Sequence, residues 1–155
     1  MLADLKPFFA GAPLINVIGL VVDGAPTATR ALAAIPDFDN NELLLVVSER
    51  LLPRSVLDGL VGVASLAVTM VKFPAHECYQ AKGRLLEVRA LSADERAEND
   101  RAITKVSELC VMMGGPDHWF PAFHKHERVL ARMSVDEIFH QTPGAGTGAP
   151  LEKAA

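Results

Sequence analysis

The stretch Leu14-Ile15-Asn16-Val17-Ile18-Gly19-Leu20-Val21-Val22 is almost continuously apolar and rich in Val and Ile, and Asp23-Gly24-Ala25-Pro26 follows it. Apolar runs of this composition, bounded by turn-forming residues, favour buried strands. A second run, Thr27 to Ile35, continues beyond the turn. The sequence therefore predicts a β-hairpin over residues 14–35.

Four more segments have strand character. Each is an apolar or alternating run between polar or turn-forming residues, and the run at Leu43 to Val47 is too short for a helix. Together with the hairpin they give six predicted strands: Leu14 to Val22, Thr27 to Ile35, Leu43 to Val47, Ala64 to Lys72, Tyr79 to Val88 and Arg128 to Ile138.

Helices are predicted at three places between and around these strands. Residues 2–10 can form a short helix, and Pro53 can open another. A longer helix begins at Ser92-Ala93-Asp94-Glu95, a capping box whose serine and glutamate satisfy free backbone donors, and ends at Gly114. The glycine- and proline-rich tail from Gln141 cannot be regular structure. We expect one domain over residues 1–140 and an extended or mobile arm over residues 141–155.

The strands are unusual for an antiparallel sheet because the first, third and fourth are apolar on both faces. A barrel would bury the inner face, and packed helices or a second subunit would bury the outer one. The composition, 50% hydrophobic with only 22% charged residues, also leaves apolar surface that needs cover. The predicted fold is therefore mainly β, a small barrel with helical additions that pairs with a second copy.

Composition and charge exclude several classes of function. The net charge is −4 and the basic residues are scattered, so the footprint of a nucleic-acid-binding protein is missing. The longest uncharged stretches, Pro7 to Val22 and Gly59 to Val71, are shorter than the roughly 20 apolar residues that span a membrane. The two cysteines, Cys78 and Cys110, form neither a C-x-x-C pair nor a disulfide framework. We expect a cytoplasmic protein with reduced thiols.

One candidate for ligand binding is Arg30, which lies in a predicted strand among threonines and alanines. Arginine offers a planar fork that suits phosphate, and small neighbours would let a flat ligand approach the backbone. The alternative is an exposed strand arginine without a ligand.

Two further groups could bind the same ligand. Ser48, Arg50 and Arg54 surround the join between the third strand and the next helix, where backbone donors favour an anion. Gln80 and Lys82 lie on one face of the fifth strand. Solvated loop arginines and an ordinary polar sheet face are the alternatives.

The histidines give little support for a metal site. His118, His124 and His126 are close in sequence, but no cysteine or carboxylate recurs at zinc-like spacing around them. No Ser-His-Asp or Cys-His arrangement indicates a hydrolase either. We therefore predict no metal ligands and no catalytic residues.

Taken in order, four segments resemble the pyridoxamine 5'-phosphate oxidase-like, FMN-binding split-barrel superfamily. They are Val22-Asp23-Gly24-Ala25-Pro26 with the strand that carries Arg30, the join from Leu43 to Arg54, the pair Leu66 to Lys72 and Tyr79-Gln80-Ala81-Lys82-Gly83, and the ending Val135-Asp136-Glu137-Ile138-Phe139-His140-Gln141-Thr142-Pro143-Gly144. The ending is similar to that of a little-characterised bacterial subgroup.

The resemblance implies a six-stranded antiparallel split β-barrel and a homodimer with flavin sites at the subunit interface. Arg30 matches the strand arginine that meets the FMN phosphate, and Arg54 falls near the basic residue at the helix start. Ser48 and Arg50 lie where the strand end approaches the flavin. Gln80 and Lys82 lie near the polar pair that precedes a glycine in proteins of this superfamily.

The sequence also departs from the oxidases themselves. Leu32-Ala33-Ala34-Ile35-Pro36 lacks the lysine that follows the strand arginine in them, and Leu52-Pro53-Arg54 replaces their Ser-Arg-Lys at the helix start. These departures weaken the expected grip on phosphate, and no pattern for pyridoxal phosphate is recognisable.

Three hypotheses follow from the resemblance and its departures. The leading one is an FMN-dependent oxidoreductase acting on a small molecule, with FMN or a deazaflavin such as F420 as cofactor. The second is a flavin-free binding or stress-related module that keeps the barrel and the dimer. The third is a haem-binding split barrel with a ligand from the His118 to His126 cluster.

Overall fold

The structure, a computed structural model, describes residues 1–11, 14–73, 75–116 and 125–151. A 3-10 turn at Leu2–Leu5 leads into a short helix, α1, at Lys6–Phe9. The described residues also form two longer helices, α2 at Arg54–Leu60 and α3 at Ala93–Met112. The strands are β1 Leu14–Val22, β2 Ala25–Ala31, β3 Ala33–Asp37, β4 Glu42–Ser48, β5 Ser65–Lys72, β6 Glu77–Ala90, β7 Arg128–Ser134 and β8 Glu137–His140.

These strands form one antiparallel sheet in the order β2-β1-β5-β6-β7-β4-β3, and β8 pairs with β6. The 14-residue strand β6 links the two halves, because its first part pairs with β5 and β8 and its last part pairs with β7. Gly83 lies where the partners change, and its backbone passes directly against Ser134. The sheet can turn here because glycine has no side chain to obstruct the crossing.

The predicted second strand is interrupted at Leu32. The Leu32 N–H donates to the Val46 carbonyl at 2.7 Å, and Ala33 also pairs with Val46, so two residues oppose one. This is the arrangement of a β-bulge, which bends the strand that carries the extra residue. The bend lets β2 pair with β1 while β3 pairs with β4.

A similar interruption divides the predicted sixth strand. Between β7 and β8 the backbone turns, with the Val135 N–H donating to Asn41 and the Asp136 N–H donating to Lys82. The described residues thus form eight strands where the sequence predicts six, because two predicted strands are each split in two. The mainly β, antiparallel fold is confirmed.

Apolar side chains are buried on both sides of the second half of the sheet. The larger cluster fills the inside and includes Leu43, Leu45 and Val47 of β4. The smaller cluster lies under α3, where Ile103 and Val106 pack on Val46 and neighbours. The apolar character of both faces of β4 is therefore explained within one chain, since α3 covers the outer face of this strand.

The capping box at the start of α3 is confirmed. The Ser92 side chain accepts from the Glu95 N–H, and the Glu95 carboxylate accepts from the Ser92 N–H at 2.8 Å. Among the helices of the described ranges, none is long and apolar enough to cross a membrane.

The segment after His140 returns to the sheet over its described part. The Gly148 N–H donates to the His140 carbonyl and the Leu151 N–H to the Ile138 carbonyl, both at 2.7 Å. Gly144, Gly146 and Gly148 have positive φ angles, which glycine adopts without strain. Residues up to Leu151, which the sequence places in an extended or mobile arm, form these turns. The last four residues lie outside the described part.

Candidate functional site

Arg30 and Gln80 lie in one row across the outer face of the first half of the sheet. Arg30 of β2 pairs with Val17 of β1, Val17 pairs with Thr69 of β5, and Thr69 pairs with Gln80 of β6. Paired residues in neighbouring strands point to the same face of a sheet. Ile18, the residue after Val17, is buried in the core, so this row faces outward.

The next row on the same face is made of small residues and ends in a cation. Ala28, Gly19 and Ala67 pair in sequence across three strands, and Ala67 pairs with Lys82. We call the outward residues of these two rows, with Val21, the open face. They are Ala28, Arg30, Val17, Gly19, Val21, Ala67, Thr69, Gln80 and Lys82.

A shallow cavity of about 350 Å³ lies on the open face beside Gly19, Ala67 and Lys82, and Asp136 and Glu137 also line it. Gly19 of β1 and Ala67 of β5 carry no large side chain at its floor. A planar group could therefore lie close to the backbone there.

Arg30 forms one end of the open face and is partly buried. It borders a small cavity with Ile103 and Val106 of α3. Burial lowers the pKa of its guanidinium, and the nearby Cys110 thiol acts in the opposite direction. A partly desolvated guanidinium interacts more strongly with an anion than one in water, because the local dielectric is lower.

Gln80 and Lys82 form the other end. The Gln80 amide donates to the Thr69 hydroxyl at 3.0 Å, which holds the amide on the open face. The Lys82 ammonium lies 4.4 Å from the centre of the Phe139 ring, in a cation–π contact. The two side chains are positioned by the strands beside them rather than by a loop.

Ser48 is fully buried at the end of β4, opposite Arg128 of β7. Its hydroxyl has no hydrogen-bond partner among the described residues. The bulge at Leu32 carries the end of β2 toward this part of β4, and the two strands are in contact. The fold therefore brings Ser48 toward the Arg30 end of the open face.

Arg50 and Arg54 are both exposed and engaged by neighbouring side chains. The Arg50 guanidinium lies 3.0 Å from Nε2 of His126, and the Arg54 Nε lies 3.4 Å from the Asp58 carboxylate. Arg54 is the first residue of α2, and Asp58 follows it by one turn.

Sequence reasoning missed two sets of residues. The small residues Gly19 and Ala67 make the floor, and the period-two pattern of their strands was the signal that could have found them. Arg128 was also missed. This buried arginine donates from Nη1 to Oδ1 of Asn99 at 2.6 Å and to Oδ1 of Asp100 at 2.7 Å. Nothing in the sequence indicates that β7 and α3 meet there.

Metal ligands do not cluster in the part of the chain that the structure covers, where no three His, Cys, Asp or Glu side chains come together. His118 and His124 lie outside the described residues, so the haem hypothesis remains a prediction at those positions.

No family model matches the sequence, and a search of curated proteins finds no match. Solved structures do resemble it. General stress protein 26 from Bacillus anthracis str. Sterne superimposes with a TM-score of 0.51 at 11% identity, over 89% of this chain and 91% of that one.

Two other solved structures are similar to the chain. A pyridoxamine 5'-phosphate oxidase-related, FMN-binding protein from Nostoc punctiforme has a TM-score of 0.47 at 11% identity, over 90% of this chain and 80% of that one. HupZ from Group A Streptococcus has a TM-score of 0.48 at 12% identity, over 88% and 95%. The match to general stress protein 26 covers nearly all of both chains, and at 11% identity it shows that the two chains share a fold.

Proposed function

We propose that this protein is an FMN-binding flavoprotein that carries out redox chemistry on a small molecule. The flavin would lie on the open face with its phosphate toward Arg30, and a second copy of the chain would cover it. One observation carries the proposal: a floor of small residues on three strands, with a guanidinium at one end and an amide and an ammonium at the other.

The dimensions and chemistry of the open face suit an elongated, flat anion. Arg30 and Gln80 are three strands apart, which is about 14 Å at the usual spacing of about 4.8 Å. Arginine binds phosphate through paired charge-assisted hydrogen bonds. Gln80 and Lys82 offer donors to the carbonyl and ring-nitrogen edge of a heteroaromatic system. The small residues between them leave room for the ring.

When bound, FMN supplies hydride and electron transfer chemistry. The residues of this chain would bind and orient it. Arg30 would hold the phosphate, Gln80 and Lys82 would fix the ring, and the covering subunit would exclude water. We assign no catalytic residue.

The exposure of the open face supports a homodimer. Val17 and Val21 are 39% and 55% exposed on the outward face of β1, whose inward residues Ile18 and Leu20 belong to the core. Apolar strand faces of this kind are normally covered. A second copy would bury these valines and close the cleft over the flavin.

The flavin-free module is the second candidate, and the engagement of Arg50 and Arg54 favours it. Both arginines, which the resemblance places near the flavin, are occupied by His126 and Asp58. Phosphate would then depend mainly on Arg30.

Spectroscopy of the purified protein tests the proposal directly. We expect flavin absorption bands in the protein as isolated, or saturable quenching of FMN fluorescence when FMN is titrated into apoprotein. Parallel titration with F420 identifies a deazaflavin. A Soret band would indicate haem instead. Absence of FMN and F420 binding would overturn the proposal and favour the flavin-free module.

A further inference from the structure

Strand β8 extends both outward rows of the open face by one strand. Phe139 of β8 pairs with Gln80, and Glu137 pairs with Lys82. Ile138, between them in the chain, is 1% exposed and belongs to the core, so Phe139 and Glu137 face outward. Beyond Gln80 and Lys82, the rows therefore end at an aromatic ring and a carboxylate.

The Lys82 ammonium contacts the ring and not the carboxylate. Its Nζ lies 4.4 Å from the centre of Phe139, which is diagonal to Lys82 across the two strands. Within the described ranges Lys82 forms no ion pair, although Glu137 lies directly opposite it. The other carboxylate beside the cavity, that of Asp136, lies 3.8 Å from Nε of Arg84. Among these residues, then, no acidic side chain compensates the charge of Lys82.

A ring and a carboxylate act differently on an ammonium. A carboxylate would neutralise its charge and occupy its hydrogen-bond donors, whereas an aromatic face attracts the cation through the ring quadrupole and carries no net charge. A lysine side chain is flexible, so an ammonium that nothing contacts is spread over many positions. Phe139 therefore restricts the position of the Lys82 ammonium and leaves its charge available.

The backbone beneath the ring is hydrogen-bonded on both edges. One edge of β8 pairs with β6. On the other edge, the Leu151 N–H donates to the Ile138 carbonyl at 2.7 Å, and Pro150 lies opposite Phe139 in an isolated bridge. A side chain placed on such a strand is held more precisely than one on a loop. The segment that returns to the sheet after β8 therefore supports the ring.

We propose that Phe139 is a positioning residue for the open face. Its ring holds the Lys82 ammonium beside the cavity of about 350 Å³, where the uncompensated charge acts on a bound ligand. Phe139 acts through Lys82 and does not itself contact that ligand. In the proposed function the ligand is FMN, so this role rests on the proposed flavin site.

The contact itself can be measured without any ligand. In the full chain with ¹³C-labelled lysine, the ε-methylene signal of Lys82 is assigned by its loss in Lys82→Arg. The ring current of Phe139 should place this signal upfield of that of Lys105, which is exposed on α3. The upfield shift should disappear in Phe139→Leu and persist in Phe139→Tyr. A Lys82 signal at the Lys105 position in the parent protein would overturn the proposal.

FMN affinity, measured by fluorescence titration, tests the role of the contact. Phe139→Leu keeps an apolar side chain but removes the ring, and it should weaken FMN binding about two- to fivefold, the range for an exposed cation–π contact. Phe139→Tyr keeps the ring and should retain the parent affinity. Phe38→Leu is the matched control, because it removes a ring that Nζ of Lys6 approaches at 5.2 Å, and it should leave FMN binding unchanged.

A double-mutant cycle separates positioning from a direct or merely structural role. Lys82→Gln should weaken FMN binding by more than Phe139→Leu does, because it removes the charge itself. In the Lys82→Gln background, Phe139→Leu should have no further effect, since the ring acts through the ammonium. An equal loss of affinity from Phe139→Leu in both backgrounds would contradict the positioning role.

The same titrations distinguish failure of this role from failure of the proposed function. A parent protein that does not bind FMN would overturn the proposed function and this role with it. A parent protein that binds FMN with an affinity unaltered in Phe139→Leu would overturn this role alone.

Discussion

The backbone of Gly83 passes so close to Ser134 that a Cβ atom at Gly83 would overlap the Ser134 carbonyl oxygen. The contact joins β6 to the end of β7, and the Arg84 N–H beside it donates to the Ser134 hydroxyl at 3.0 Å. This is the point at which the two halves of the sheet are connected, so the junction between them depends on this close approach.

Gly83→Ala should therefore destabilise the protein by about 3 kcal/mol or more, because one backbone would have to move away from the other. Urea unfolding followed by circular dichroism measures the change. Gly59→Ala is the matched control, since a Cβ there meets nothing within 4 Å and Gly59 lies in α2. It should alter stability by no more than about 1 kcal/mol, in the stabilising direction. Equal effects of the two variants would contradict the close contact.

Arg30→Ala should weaken FMN binding by about 1.5 to 3 kcal/mol, roughly 10- to 150-fold, the range for losing a hydrogen bond to a charged group. Fluorescence titration of apoprotein with FMN measures it. Arg101→Ala removes an exposed arginine of α3 and should leave the affinity unchanged. An unchanged FMN affinity in Arg30→Ala would remove this residue from the site.

Val21→Glu should dissociate the proposed dimer. Val21 is 55% exposed on the open face, and a carboxylate buried between two copies would lose its hydration. Light scattering should report twice the chain mass for the parent protein and the chain mass for the variant. Ala97→Glu adds the same charge at an exposed position of α3 and should remain dimeric. A dimeric Val21→Glu protein would place the interface elsewhere.

Glu95→Gln should reveal a pH-dependent contribution to stability. The Arg89 side chain and the Ser92 backbone hold the pKa of Glu95 at about 2, below its ordinary value of 4.5. Because the folded-state pKa is lowered, the stabilisation is fully present above about pH 4.5 and is lost as the pH falls toward 2. Water screens this partly exposed pair, so we expect about 1 kcal/mol.

Unfolding free energies of the parent protein and Glu95→Gln at pH 7, 4 and 2.5 test this prediction. The parent protein should be more stable at pH 7, and the difference should shrink at the lower values. A difference that is the same at all three pH values would show that the carboxylate charge has no part in the contribution.

Local patterns predicted much of the secondary structure. The apolar run 14–22 forms β1 over its predicted length, and the Ser92 capping box starts α3 where the sequence places it. Both signals depend only on residues close in the chain. The breaks at Leu32 and at Val135–Asp136 could not be predicted, because each is set by a distant partner, Val46 in one case and Asn41 and Lys82 in the other.

For the candidate site too, the sequence predicts some features and only the structure shows the others. Arg30, Gln80 and Lys82 are identifiable from their place in predicted strands, but the row that joins Arg30 to Gln80 exists only through the pairing of β2, β1, β5 and β6. In the sequence, Arg50 and Arg54 resemble a pair of phosphate-binding residues. Only the structure shows that Arg50 contacts His126 and that Arg54 contacts Asp58.

The sequence by itself determined where most strands and the long helix form, and that some apolar strand faces need cover, because hydrophobic period and capping act over a few residues. The tertiary structure alone decided which side chains share a face, where β6 changes partners near Gly83, and that Arg128 meets Asn99 and Asp100. Those relationships depend on strand order and register, which are set by pairing between residues far apart in the chain.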